Sequence, residues 1–126
     1  MIIAIDFDGT CVTHDYPEVG KEIGAVPVIQ KLSARGDQII LFTMRSGEHL
    51  QHAVDWFAKH GIPLFGVNRN PEQHSWTTSP KPYAHVYIDD AALGIPLHRT
   101  LYHTRPFVDW SAVAEMLGIE TPKETP

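Results

Sequence analysis

Apolar residues fall into short unbroken runs along this chain, separated by stretches in which they recur at helical spacing. Ile2, Ile3, Ile5 and Phe7 make one run and predict a buried strand over residues 2–7. "QIILFT" predicts a second over 38–43, "PLFGV" a third over 63–67, and "AHVYI" a fourth over 84–88. "RTLYH", residues 99–103, is read as a fifth. Between them, Val26, Ile29 and Leu32 repeat on one helical face, with Pro27 in the first turn and Gly36 as the stop, predicting a helix over 26–35. Leu50, Val54 and Phe57 do the same over 47–61, which ends at Gly61. A last helix is expected over 109–117, with Asp109 as its N-cap. Residues 10–24 hold Pro17, Gly20 and Gly24 with little periodicity and read as a loop with a short hairpin; residues 68–82 read as a loop. Strands alternating with helices predict an α/β fold, a three-layer α/β/α sandwich whose mainly parallel sheet has about five strands and helices on both faces.

With 126 residues the chain is expected to form one domain, residues 1–118, followed by a flexible tail over 119–126. No apolar run reaches the length of a membrane span. The opening apolar run lacks a basic flank and stops at Asp6, so it does not read as a secretory signal. The single cysteine, Cys11, has no internal partner for a disulfide, which fits a reducing, cytoplasmic setting. A net charge of −5 with scattered basic residues argues against a general nucleic-acid binder and gives no reason to expect a membrane partner.

Ligands of a parallel sheet bind off the carboxyl ends of its strands, so the residues just after each strand matter most. After the first come Asp6, Asp8, Gly9 and Thr10; after the second Thr43, Arg45, Ser46 and Gly47; after the third Asn68, Arg69 and Asn70. Lys81 precedes the fourth strand, and Asp89 and Asp90 follow it. Carboxylates this close repel one another unless a cation lies between them. Three or four of them suit a hard, oxygen-seeking ion, usually Mg2+. A carboxylate beside a metal-bound phosphate can attack phosphorus, and a second can shuttle the proton. Thr43 and Lys81 can hold the phosphate oxygens. Gly9 lets the chain bend close to a ligand.

At this point the motifs form a known pattern. "DFDGT", "LFT", Lys81 in "SPKPYAHVYIDD" and "YIDDAALG" occur in the order, and resemble in detail, the four motifs of the haloacid dehalogenase (HAD) superfamily of phosphotransferases. "YPEVGKEIG" and "VNRNP" are further similar to its small capless hydrolases. The resemblance implies a Rossmann-like fold and a Mg2+-dependent phosphatase. In it Asp6 is the nucleophile and Asp8 the general acid/base, its main-chain carbonyl contacting Mg2+. Thr43 binds the phosphoryl group, Lys81 steadies it and Asp6, and Asp90 contacts the metal directly with Asp89 held through water. The loops at 10–24 and 68–82 are too short to fold as a cap domain.

The substrate contacts expected are Gly9, Thr10, Arg45, Ser46, Asn68 and Arg69. The open rim should be formed by His14, Asp15 and Tyr16, by Arg45, and by residues 68–70. Solvent exposure is the plainer expectation for His14 and Asp15, as it is for His49 and His52, which lack a third metal ligand nearby. A surface ion pair is the alternative for Arg45 and Arg69. Cys11 does not suit a cysteine phosphatase, because Pro17 stands where that chemistry needs an arginine. Trp56, Phe57 and Trp110 are expected in the core. A phosphotransferase or a nucleic-acid 3′-end phosphatase could use the same residues, and an idle metal-binding regulatory module is the reading outside catalysis. The expected partner is a phosphorylated substrate, and an open site leaves room for a neighbouring subunit of a homo-oligomer to act as lid.

Overall fold

The computed structural model describes residues 1–99 and 105–120. Its centre is a four-stranded parallel sheet made of β1 (Ile2–Ile5), β2 (Gln38–Leu41), β3 (Leu64–Val67) and β4 (Val86–Ile88), in the order β3-β2-β1-β4. Helices α1 (Ala25–Ala34) and α2 (Gly47–Lys59) connect the first three strands. A small antiparallel hairpin of β5 (Leu97–His98) and β6 (Phe107–Val108) leads into α3 (Trp110–Met116). The α/β architecture and its parallel sheet are as the apolar pattern predicts. The sheet has four strands among the described residues. Of the fifth expected strand, Arg99 is unpaired coil and the remainder lies outside the described residues.

The sequence sets these elements locally. On α1, Ala25, Val28, Ile29 and Leu32 fall on one buried face. Gly24 offers no side chain to its first turn, and the Glu22 carboxylate accepts instead from the Val26 N–H at 3.3 Å, as well as from that of Gly24 at 2.8 Å. On α2, Ala53, Trp56 and Phe57 are buried. Asp109 caps α3 as expected, accepting from the N–H of Ala112 at 3.2 Å.

The handedness of the crossovers decides which face each connection covers. From β1 through β2 to β3 the chain steps one way, and right-handed connections place α1 and α2 on one face. From β3 to β4 it steps back over two strands, so the same handedness sends residues 68–85 across the opposite face. That return carries only a 3-10 turn, Gln73–Ser75. Ile3, Ile5, Phe7, Ile39 and Leu41 therefore share one core with all three helices, Trp56, Phe57 and Trp110 included. Ala4, Ile40 and Ala84 form a thin second core beneath the return segment. The helical layer expected on the second face is absent from the described residues, because the stretch that would have to supply it is irregular and rich in proline. Phe42 and Tyr87 stay partly exposed on that face, with ring centroids 6.3 Å apart.

Beyond α3 the chain stays against the body of the protein as far as Ile119. The N–H of Ile119 donates to Ala114 O at 2.8 Å and its side chain packs on the core. The rest of the expected tail, 121–126, is outside the described residues. No described helix is long and apolar enough to cross a membrane.

Candidate active site

β1 is the point at which the chain reverses its direction across the sheet, with β2 on one side and β4 on the other. The crevice at such a switch point is where α/β sheets bind ligands. Here Asp6 and Asp8 leave β1 beside Asp89 and Asp90 leaving β4. Oxygens of Asp6, Asp89 and Asp90 lie within 4.8 Å of one another, in the lining of a cleft of about 770 Å³. Asp8, His14, Tyr16, Thr43, Arg45 and Arg105 also line it.

Thr10 ties the acids together. Its hydroxyl is fully buried, 3.0 Å from Asp6 Oδ2 and 3.3 Å from Asp90 Oδ1, and accepts from the Asp90 N–H at 3.1 Å. Asp89 Oδ1 accepts from the Ala91 N–H at 2.9 Å, which turns the chain directly after β4. Burial pushes the Asp6 carboxyl up from 3.8 to about 8, and the neighbouring Asp89 and Asp90 add to the rise, against the Phe7 N–H and the Thr10 hydroxyl. An all-oxygen set that disfavours its own negative charge fits a hard divalent cation.

Arg45 is placed differently from the rim position expected of it. It is 3% exposed. Its Nε and Nη2 donate to the two Asp8 carboxylate oxygens at 2.8 and 2.7 Å. The remaining donors go to the carbonyls of Pro17 (3.1 Å), His49 (3.2 Å) and Glu18 (2.8 Å), so all five N–H groups are occupied. The guanidinium also lies over the rings of Phe7 and Tyr16, 5.0 and 5.1 Å from their centroids. It has no donor left for a substrate and acts as a clamp that fixes Asp8 and ties it to the loop above.

That loop forms a small flap, closed as the short hairpin expected of it. Val12 pairs with Glu22, and the Thr13 N–H donates to Lys21 O at 3.0 Å. The flap folds His14 inward, against the exposure expected for it. His14 Nε2 sits 3.2 Å from Asp90 Oδ2 and 3.2 Å from Pro106 O. This requires Gly9, whose φ is +75°: a Cβ there would overlap the His14 ring and approach Asp90 Oδ2 to 2.9 Å. The Gly9 N–H donates to Val12 O and its carbonyl accepts from the Val108 N–H, which joins the flap to the hairpin. Thr10, fully buried, is likewise a tether and not a substrate contact. Asp15 accepts from the Thr13 hydroxyl at 2.5 Å.

Other expected contacts divide in the same way. Thr43 lines the cleft, its N–H donating to Asn68 Oδ1 at 2.8 Å. Asn68 thus positions the Thr43 turn from a left-handed conformation, φ +54°. Ser46 is the N-cap of α2 and is not among the residues lining the cleft. Asn70 is buried, bonded to Tyr83 O and the Glu72 N–H. Arg69 is exposed beside a separate groove formed by the return segment. Lys81 is exposed and is not among the cleft residues; its ammonium lies 5.3 Å from the Tyr87 ring centroid. Tyr87 pairs with Ala4, two residues before Asp6. His49 and His52 join no metal-ligating cluster among the described residues. Cys11 is fully buried with its thiol pKa raised by desolvation and then by Asp6, so it is not a nucleophile.

Arg105 was not foreseen. It precedes a two-residue strand too short to leave a periodic signal, and only the hairpin carries it to the cleft. Its one local sign is the proline that follows, which favours extended chain.

No family model matches the chain, and no curated protein does. Among solved structures, it superposes on that of a conserved protein from Bacteroides thetaiotaomicron with a TM-score of 0.76, at 35% sequence identity, over 94% of this chain and 89% of that one. Identity at that level over nearly the full length of both means that the chain belongs to the same family as this conserved Bacteroides thetaiotaomicron protein.

Proposed function

We propose that this protein is a Mg2+-dependent phosphomonoester hydrolase of the HAD type, working through an aspartyl phosphate on Asp6. The observation that carries the reading is the meeting of Asp6, Asp89 and Asp90 within 4.8 Å at the switch point, with Asp8 clamped beside them. When bound, the divalent ion supplies the positive charge that keeps Asp6 ionised and offsets the charge of the phosphoryl oxygens. Asp6 attacks phosphorus and the bond to the ester oxygen breaks. Asp8, in its protonated form, gives its proton to the leaving oxygen. It then takes a proton from water, whose oxygen attacks phosphorus and releases phosphate and the Asp6 carboxylate. Arg45 holds the Asp8 carboxyl at a fixed angle while leaving it lone pairs for this proton. Thr43 borders the phosphoryl site on the β2 side. Lys81, on a flexible stem, is assigned to the phosphoryl group when the substrate's charge draws it from Tyr87.

The test is hydrolysis of an aryl phosphate by the pure protein, with and without Mg2+. Turnover should require the metal, and Asp6→Asn should reduce kcat by at least ~1,000-fold, because an amide cannot serve as the nucleophile. Metal-independent hydrolysis, or substantial activity in Asp6→Asn checked for deamidation, contradicts the assignment.

A further inference from the structure

Positive charge in the cleft is unevenly available. Arg45 spends every donor on Asp8 and three carbonyls, and Lys81 lies over Tyr87 outside the lining. Arg105 lines the cleft, is exposed, and has no hydrogen bond or ion pair among the described residues. The hairpin holds it there: the Val108 N–H donates to Gly9 O at 3.0 Å, and Pro106 O meets His14 at 3.2 Å. Asp6 is partly buried in the cleft lining and Arg105 is exposed, so the guanidinium is placed for the outer part of a bound ester. A cleft of about 770 Å³ is far larger than a phosphoryl group and has room for the leaving group.

Four carboxylates, Asp6, Asp8, Asp89 and Asp90, face this space. A second anionic group on the substrate would be repelled there unless a cation received it. We propose that Arg105 is that receptor, and that the substrate is a phosphomonoester whose leaving group carries a second anion, a phosphate or a carboxylate. The planar fork of an arginine suits either, through paired N–H donors. This rests on the reading of Asp6 as the phosphoryl acceptor.

Binding in the turnover-deficient Asp6→Asn protein tests it. Calorimetry with Mg2+ compares a hexose bisphosphate with the corresponding hexose monophosphate. Arg105→Gln, in the same background, should weaken the bisphosphate about tenfold and the monophosphate by less than about twofold. Lys59→Gln, which removes an equal charge from the far end of α2, should change neither. Equal weakening of both esters places the guanidinium on the reacting phosphoryl group and overturns the proposal. So does equal affinity of the Arg105 and Gln proteins for the bisphosphate, or failure of the Arg105 protein to bind it. Hydrolysis by the wild-type protein is measured separately: if no ester is turned over, the hydrolase reading falls while the binding comparison still decides the role of Arg105.

Discussion

Asp6 is the residue at which burial and charge conflict. Its pKa, raised to about 8 mainly by desolvation, means that the folded chain keeps a proton the unfolded chain has lost. Between roughly pH 4 and pH 8 the unfolded state therefore binds fewer protons, and stability falls as pH rises through that window. In chelator, Asp6→Asn should melt several degrees above wild type at pH 8, with the difference vanishing near pH 4. Thermal scans at both pH values check this; a variant less stable than wild type at pH 8 would contradict it. Arg45 presents the opposite case, a buried charge fully paired. Arg45→Ala leaves Asp8 without its partner and three carbonyls without donors, and should cost about 3 kcal/mol or more of stability. It should also lower kcat alike for every ester, since Asp8 serves them all. A change confined to substrate preference, at unchanged Tm, would instead return Arg45 to the rim. The acids of the site were legible because each directly follows an apolar run. The roles of Arg45 and His14 were not, since no local pattern says that a polar residue after a strand, or in a loop, will be folded under.

The flap is the element that adds a wall to the row of acids. It depends on Gly9, because the chain must turn at positive φ while the His14 ring closes over it. Gly9→Ala should destabilise the protein by about 1–2 kcal/mol from the backbone alone, and by more through the overlap with His14. Adding His14→Ala should recover the second part and leave the first, a double-mutant cycle with a clear coupling. Denaturant unfolding of the four proteins measures it; strict additivity would mean that the ring does not rest on Gly9. Helices and strands were readable to within two residues at most ends, because apolar spacing reports which face is buried. The return segment was correctly read as a loop, yet its consequence was not: an α/β alternation implies a second helical layer, and this connection contains no helix to form one. The β5–β6 hairpin escaped for a different reason, since two residues per strand are too few to show a period.

For the molecule as a whole, the order of strands places chemistry. Reversal of direction at β1 brings residues some eighty positions apart, Thr10 and Asp90, into hydrogen-bond contact, and the same reversal leaves the second face of the sheet thinly covered. The fold thus concentrates its polar groups at one edge of a small sheet, with a flap for a lid. The central claim is that Asp6 becomes covalently phosphorylated during turnover. The most direct measurement is rapid acid quenching of the wild-type protein with Mg2+ and an aryl phosphate, followed by peptide mass analysis. A phosphoryl group should appear on the peptide containing Asp6, be discharged by hydroxylamine as an acyl phosphate, and be absent from Asp6→Asn or without metal. Turnover with no label on Asp6, or label on another residue that persists in Asp6→Asn, would contradict the account.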